Sequence, residues 1–292
     1  MSQSSLGDGL YMSMIGVLPR KRFGRVVRRL TCWEGSSQAA RVGVRAFSSA
    51  FGLNMDEAEH PLESYPNIHS LFTRRLKHGA RVIDSDPKAV VSPVDGVASQ
   101  FGAIENGLLT QVKGQNYTLE GLLGGASEAE AFQGGQYLTI YLSPRHYHRI
   151  HSPADGEVRR FDHIPGQLWP VNGPSVRTVP ELFAINERVI TYVTTDSGKD
   201  IAVIKVGAVG VGHISLAYHD RRSNLPDQDR LAAKLDSPHV VDRGGELAVF
   251  ELGSTVVVLL PPGLGTFEGF EMGDELKMGQ RIATMDLGDA AQ

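Results

Sequence analysis

Two periodicities divide the chain. Before about residue 80 the apolar positions recur at helical spacing, and from about Ala89 they alternate. Phe23, Val26, Val27 and Leu30 fall on one helical face, though Gly24 weakens the helix. Ala39 to Leu53 predicts a second helix, and His69 to Leu76 a short third one. Asp56 to Asn67, with Pro61 and Pro66, predicts a loop between them. In the second region Tyr137 to Leu142 alternates as a strand with one buried face. Val256 to Leu260 is continuously apolar and β-branched, the pattern of a core strand. Val206 to Gly212 reads as a strand with close backbone packing. Its Gly-x-x-Gly-x-Gly runs in the wrong order for a dinucleotide fingerprint, and neither a P-loop nor a Gly-x-Ser-x-Gly elbow is present.

One pattern occurs twice. Ser92-Pro93-Val94-Asp95-Gly96 returns sixty positions later as Ser152-Pro153-Ala154-Asp155-Gly156, each copy leading into a strand. Asp-Gly is first a turn signal, so two copies predict two similar β-units in a compact barrel or sandwich. Gly273 to Ala283 resembles the return hairpin of biotinyl/lipoyl-type folds, a likeness of architecture rather than of function. The expected class is therefore α+β: a mainly β barrel-sandwich (lipoyl/biotinyl-like) body preceded by a helical region.

Composition narrows the setting. The 292 residues are 41% hydrophobic and 21% charged, which suits a globular protein of one or two domains. The formal charge of −4 argues against a general nucleic-acid binder, and the single cysteine, Cys32, excludes an intramolecular disulfide. Leu10 to Leu18 is nine residues of largely apolar chain against the roughly 20 needed to span a bilayer. Six cations follow it: Arg20, Lys21, Arg22, Arg25, Arg28 and Arg29. A basic amphipathic helix beside a short apolar run suits the membrane interface, and equally a surface helix packed on its own core.

Two stretches carry candidate chemistry. In Ser143-Pro144-Arg145-His146-Tyr147-His148-Arg149-Ile150-His151 three histidines lie within six residues, in a turn or short helix at the end of a strand. They could be a metal pair lacking a third ligand, histidines satisfied by the backbone, or acid–base groups titrating near neutrality. The other stretch is Leu252-Gly253-Ser254-Thr255. A hydroxyl following a glycine can reach its carbonyl carbon, because Gly253 has no Cβ in the way. That attack makes an ester, and β-elimination then opens the chain and leaves a ketone. A tight turn before a core strand explains the same residues.

In combination the pieces do more. Val91 to Gly96, Tyr141 to His151, Phe183 to Val189, Val206 to Ala208 and Leu252 to Thr255 together resemble the bacterial phosphatidylserine decarboxylases that make their own pyruvoyl group. The resemblance implies a self-cleavage triad of Asp95, His151 and Ser254, with His151 taking the Ser254 proton and Asp95 orienting the ring. It implies a cut between Gly253 and Ser254, giving a β chain 1–253 and an α chain 254–292 that stay together. It implies a covalent pyruvoyl cofactor from Ser254, a Schiff base with phosphatidylserine, His148 as the acid that reprotonates the product, and release of phosphatidylethanolamine and CO₂. Such a substrate favours docking of an N-terminal region 1–80 on an anionic cytoplasmic membrane, through the six cations, ahead of a catalytic region 81–292. A homodimer of the cleaved heterodimers fits the family. The rival readings are a metal-dependent hydrolase on His146, His148 and His151, and a non-enzymatic carrier using Lys277 beside Met278.

Overall fold

Val-, Ile- and Thr-rich segments become strands because branched side chains pack well on a pleated surface and lose rotamer freedom in a helix. The computed structural model describes residues 20–33, 37–112, 115–209, 213–226, 228–251 and 254–286; at residues 20–23, 25, 37 and 254 it describes the backbone alone. The Leu10 to Leu18 run and Gly253 lie outside the described residues. The strands are β1 (Ala89–Val91), β2 (Gly96–Ala103), β3 (Leu108–Val112), β4 (Gln115–Thr118), β5 (Gln136–Leu142), β6 (Arg149–His151), β7 (Gly156–Ile164) and β8 (Arg188–Thr194). They continue as β9 (Asp200–Val206), β10 (Ile214–Leu216), β11 (Leu231–Val241), β12 (Glu246–Phe250), β13 (Ser254–Leu260), β14 (Gly265–Phe267), β15 (Glu275–Leu276) and β16 (Arg281–Met285).

Eight strands form one antiparallel sheet in the order β11-β7-β8-β9-β13-β5-β2-β15. Two three-stranded sheets, β1-β16-β14 and β6-β12-β10, share the apolar core on one of its faces. The other face is covered by the β3–β4 hairpin and the short helices Leu119–Leu123, Ala126–Glu130 and Leu182–Ile185. The mixed helix-and-sheet class is as expected, but no barrel closes among the described residues. The large sheet buries its faces against other layers instead of curling onto itself. This layering also corrects the reading of β5. Leu138, Ile140 and Leu142 enter one core while Tyr137 enters the other, so the strand is buried on both faces.

The repeated motif is a structural duplication. Val91 N–H donates to Pro153 O at 2.8 Å, and His151 N–H donates to Pro93 O at 2.9 Å. Ser92 Oγ donates to Val94 O at 2.7 Å, and Ser152 Oγ to Ala154 O at 2.6 Å. Each aspartate accepts a backbone N–H from a distant hairpin: Asp95 from Met278 at 2.9 Å, Asp155 from Arg243 at 2.8 Å. The hairpin glycines match too, with Gly279 at φ +88° and Gly244 at φ +79°, a region glycine enters without steric cost. Even the bulges coincide, between Val90 and Val91 against β16 and between Ile150 and His151 against β12.

The N-terminal region forms helices Arg20–Thr31, Ser37–Phe51 and Ile68–Phe72, the second and third packed round Val44, Leu53, Tyr65 and Leu71. The third starts on a capping box between Asn67 and Ser70 and stops four residues earlier than the periodicity predicts. Beyond it the chain pairs back on the preceding loop, with Glu59 N–H to Arg75 O at 2.9 Å and Lys77 N–H to Glu57 O at 2.8 Å. The glycine-rich run also differs from expectation. β9 ends at Val206, and Gly207 N–H turns aside to Glu187 O at 2.8 Å.

One core position is unexpectedly charged. Lys205 is fully buried in β9, where its Nζ donates to Thr191 Oγ1 and to Val203 O at 3.1 Å with no carboxylate partner among the described residues. Burial pushes its amine well below 10.5. The unfolded chain then holds a proton that the folded one lacks, so stability rises with pH from the depressed value up to 10.5. Lys205→Met is expected to raise Tm at pH 7 and to abolish that rise, which is worth at most about 1.4 kcal/mol per pH unit. Thermal melts at pH 7 and 9 measure both.

Candidate active site

β13 begins at Ser254, opposite Leu142 of β5, with β9 on its other edge. From Leu142 the chain turns at Ser143-Pro144, where His146 N–H donates to Ser143 O at 3.0 Å. It then meets β12: Phe250 N–H donates to His148 O at 2.9 Å. The histidine loop is therefore tied at one end to Ser254 and at the other to Phe250, described residues on either side of the joint in sequence. The Ser254 side chain lies outside the described residues.

His148 is fully buried, and its ring packs on Phe72 with centroids 3.9 Å apart. Its Nδ1 lies 2.8 Å from His146 O. A carbonyl only accepts, so Nδ1 carries the proton and Nε2 presents a lone pair. That Nε2 has no hydrogen-bond partner among the described residues. Burial pushes the imidazole well below 6.5, against the pull of the His146 carbonyl, and the Arg74 charge adds to the depression.

His151 is held in the same tautomer. Its Nδ1 donates to Gly244 O at 2.7 Å, and its Nε2 accepts from Tyr147 Oη at 3.2 Å. Burial lowers its pKa as well. The contact expected from Asp95 is absent. Asp95 accepts from Arg81 Nε at 2.8 Å, from Arg81 Nη2 at 2.5 Å and from Met278 N–H, so the ring is oriented by Gly244 instead. Asp95 is near enough only for its charge to favour protonation of His151. The physical reason lies in the duplication: Asp95 holds the hairpin of its own unit, as Asp155 does in the other, and Arg81 occupies its remaining oxygen.

The three histidines do not converge on a common point of ligation. His146 Nδ1 accepts from Ser143 N–H at 3.0 Å. Among the described residues no group of three or more His, Cys, Asp or Glu side chains is placed to hold a metal. Lys277 lies just beyond β15, at the start of the turn to β16.

Of the six N-terminal cations, Arg28 approaches the site: its Nε lies 3.4 Å from Glu251 Oε2, two residues before Gly253. Arg29 is exposed, as are Val26 at 57%, Leu30 at 68% and Trp33 at 51%. The side chains of Arg20, Lys21, Arg22 and Arg25 lie outside the described residues. Sequence reasoning missed Arg81, Gly244, Phe72 and Tyr147. Tyr147 was visible inside the histidine cluster. The other three reach the site only through long-range packing, and no local pattern marks them.

A profile of the family described as Phosphatidylserine decarboxylase matches residues 68–284. A Myxococcus xanthus protein named phosphatidylserine decarboxylase proenzyme is 41% identical over 281 residues, covering 96% of this chain and 100% of its own. Proteins of the same name from Brevibacillus brevis and Xanthomonas oryzae are 38% and 39% identical, each covering 96% of this chain and 99% of its own. The chain belongs to the phosphatidylserine decarboxylase family. The decarboxylase profile spans Asp95, His148, His151 and the Gly253–Ser254 joint, and starts with the helix that supplies Phe72. The basic helix Arg20–Thr31 lies ahead of it.

The Arg81–Asp95 pair is buried, with side-chain exposures of 7% and 3%. Arg81→Met strands a buried carboxylate, and a loss of about 3–5 kcal/mol is expected from removing one partner of such a pair. Denaturant titration of this variant against the parent protein measures it.

Proposed function

We propose that this chain is a precursor that cuts itself between Gly253 and Ser254 and then, as a pyruvoyl enzyme, converts phosphatidylserine to phosphatidylethanolamine and CO₂. One observation carries the reading. A family-wide likeness over nearly the whole chain coincides with a buried histidine whose Nε2, unpartnered among the described residues, sits in the loop bonded to Phe250 of β12, the strand just ahead of the Gly253–Ser254 joint in sequence.

In the first reaction Ser254 Oγ attacks the Gly253 carbonyl while His151 Nε2 takes its proton. The Nδ1–H bond to Gly244 supports this role, because it leaves the lone pair on Nε2, which exchanges its hydrogen bond from Tyr147 Oη for the Ser254 proton. Asp95 acts as a charge that stabilises the imidazolium rather than as a direct hydrogen-bond partner. The amide C–N bond breaks to leave a Gly253 ester on Ser254 Oγ. Loss of the Ser254 Cα proton then expels the Gly253 carboxylate and leaves dehydroalanine, whose imine tautomer takes up water and releases ammonia to give the pyruvoyl terminus of β13. When formed, that ketone supplies an electron sink for decarboxylation. His148 works through Nε2. Burial keeps it neutral, so it first accepts a proton as the substrate amine condenses and later returns one to the carbon that lost CO₂. The products, residues 1–253 and 254–292, remain one heterodimer because β13 is paired on both edges, and two heterodimers associate.

Residues 1–80 form the membrane-docking region and 81–292 the catalytic one. Exposed Val26, Leu30 and Trp33 beside Arg29 support placing the helix Arg20–Thr31 in the interface of an anionic cytoplasmic membrane. Each Lys or Arg there contributes about 1 kcal/mol. No described helix is long and apolar enough to cross a membrane. We also read the two duplicated β-units as a lipoyl/biotinyl-like barrel-sandwich core extended by the large sheet.

Ser254→Ala is expected to give a single uncut, inactive chain, and His148→Ala two chains with decarboxylation reduced by about 10²–10⁴-fold. A denaturing gel with mass spectrometry, together with a CO₂-release assay, separates the two steps. Efficient cutting of the Ser254 variant refutes the nucleophile. Arg25→Glu with Arg29→Glu, sparing the Glu251-bound Arg28, is expected to lower binding to phosphatidylserine vesicles, with a cost of about 1 kcal/mol per lost cation. Sedimentation with vesicles measures it, and unchanged binding removes the docking claim.

A further inference from the structure

A cavity of about 160 Å³ lies between the N-terminal region and the β body, lined by residues that include Arg74, Arg81, Arg145, His146, Tyr147 and Lys277. Arg74 is 4% exposed, and only its Nη2 is engaged, donating to Arg145 O at 3.1 Å. Its Nε and Nη1 have no partner among the described residues, an arrangement that is costly for a buried charged donor. His146 presents a second unpartnered donor. Its Nδ1 accepts from Ser143 N–H, so the neutral ring carries its proton on Nε2, which is buried and without a hydrogen-bond partner among the described residues, with Glu275 Oε1 3.9 Å away. Two side chains from distant parts of the sequence thus hold unpartnered donors beside one cavity, whose lining also includes Glu57, Asp95 and Glu275.

The charges agree. Asp95 and Glu57 neutralise Arg81, and Glu275 pairs with Arg145. Arg74 and Lys277 make no ion pair among the described residues. An acceptor-only anion satisfies both the donors and the charge, and a planar guanidinium suits phosphate or carboxylate oxygens. We infer that this cavity, through Arg74, His146 and Lys277, binds the phosphodiester of the lipid headgroup. The inference rests on the decarboxylase reading. The phosphodiester is preferred to the substrate carboxylate on energetic grounds. Clamping the group that must depart as CO₂ would stabilise the ground state and slow the reaction, whereas the phosphate charge persists throughout. Tyr147 connects the cavity to the reaction site, lining the one and donating its hydroxyl to His151 of the other. Arg74, His146 and Lys277 are accordingly binding and positioning residues.

The test is steady-state CO₂ release by the full, self-cleaved protein with phosphatidylserine in mixed micelles. Arg74→Gln is expected to raise KM about tenfold or more while changing kcat by less than about threefold, as loss of uniform binding requires. Glycerophosphoethanolamine, a phosphodiester without a carboxylate, should inhibit the parent protein competitively and lose about tenfold in potency against Arg74→Gln. Unchanged KM overturns the inference. So does inhibition by serine and acetate but not by glycerophosphoethanolamine, which marks a carboxylate site. So does loss of inorganic phosphate binding in Arg74→Gln with the lipid KM intact, which marks a site for free phosphate. If Arg74→Gln does not fold and self-cleave, exposed Lys277→Gln decides: about a threefold rise in KM supports the site and none overturns it. Failure of the decarboxylase reading itself would show separately, as no CO₂ release by the parent protein.

Discussion

β13 is hydrogen bonded along both edges, to β5 and β9, and its side chains enter apolar cores on both faces. A strand held in this way does not need its covalent link to the residue before it. Val256 to Leu260 are completely buried, so withdrawing the strand would expose five large apolar side chains. Each is worth about 1.5–3 kcal/mol of transfer free energy. Non-covalent packing of that size lets a peptide bond at the head of the strand be spent on chemistry while the fold persists. The same constraint positions the reacting end, because register with Leu142 leaves Ser254 no freedom to slide.

The internal duplication explains why the two aspartates differ in consequence although they do the same local work. Both brace a hairpin through a backbone N–H. Asp155 does so at the exposed end of its unit, with Arg243 Nη2 3.8 Å away. Asp95 does so in the interior, where Arg81 binds it through two nitrogens and passes the charge on to Glu57. The structural brace thereby places a buried charge near His151, and Arg81 links it to the N-terminal loop that carries Glu57.

Burial sets the protonation of the histidine loop. His146, His148 and His151 are all depressed by desolvation, and each ring has one nitrogen committed to the backbone. The commitment decides the role left to the other nitrogen, which in His151 also meets Tyr147 Oη. In His148 and His151 it is an acceptor at Nε2, suited to taking a proton. In His146 it is a donor, suited to an anion. One short loop thus presents both acceptor and donor nitrogens, and backbone geometry rather than residue type makes the distinction.

Much of this was legible in the chain itself. The β-branched run after Ser254 declares a core strand, the paired Ser-Pro-x-Asp-Gly motifs declare two like units, and Leu-Gly-Ser-Thr with the histidine cluster points to the family. These are local patterns, and local sterics and apolar periodicity suffice to produce them. Other features depend on residues remote in sequence. The open sheet in place of a closed barrel follows from which layers cover which face. Gly244 in place of Asp95 beside His151, Arg81 across Asp95, and the meeting of Arg74 with His146 all arise where separate segments pack together. A hydrogen bond needs its partner within about 3 Å, and only the folded chain decides which of many chemically equivalent donors arrives there.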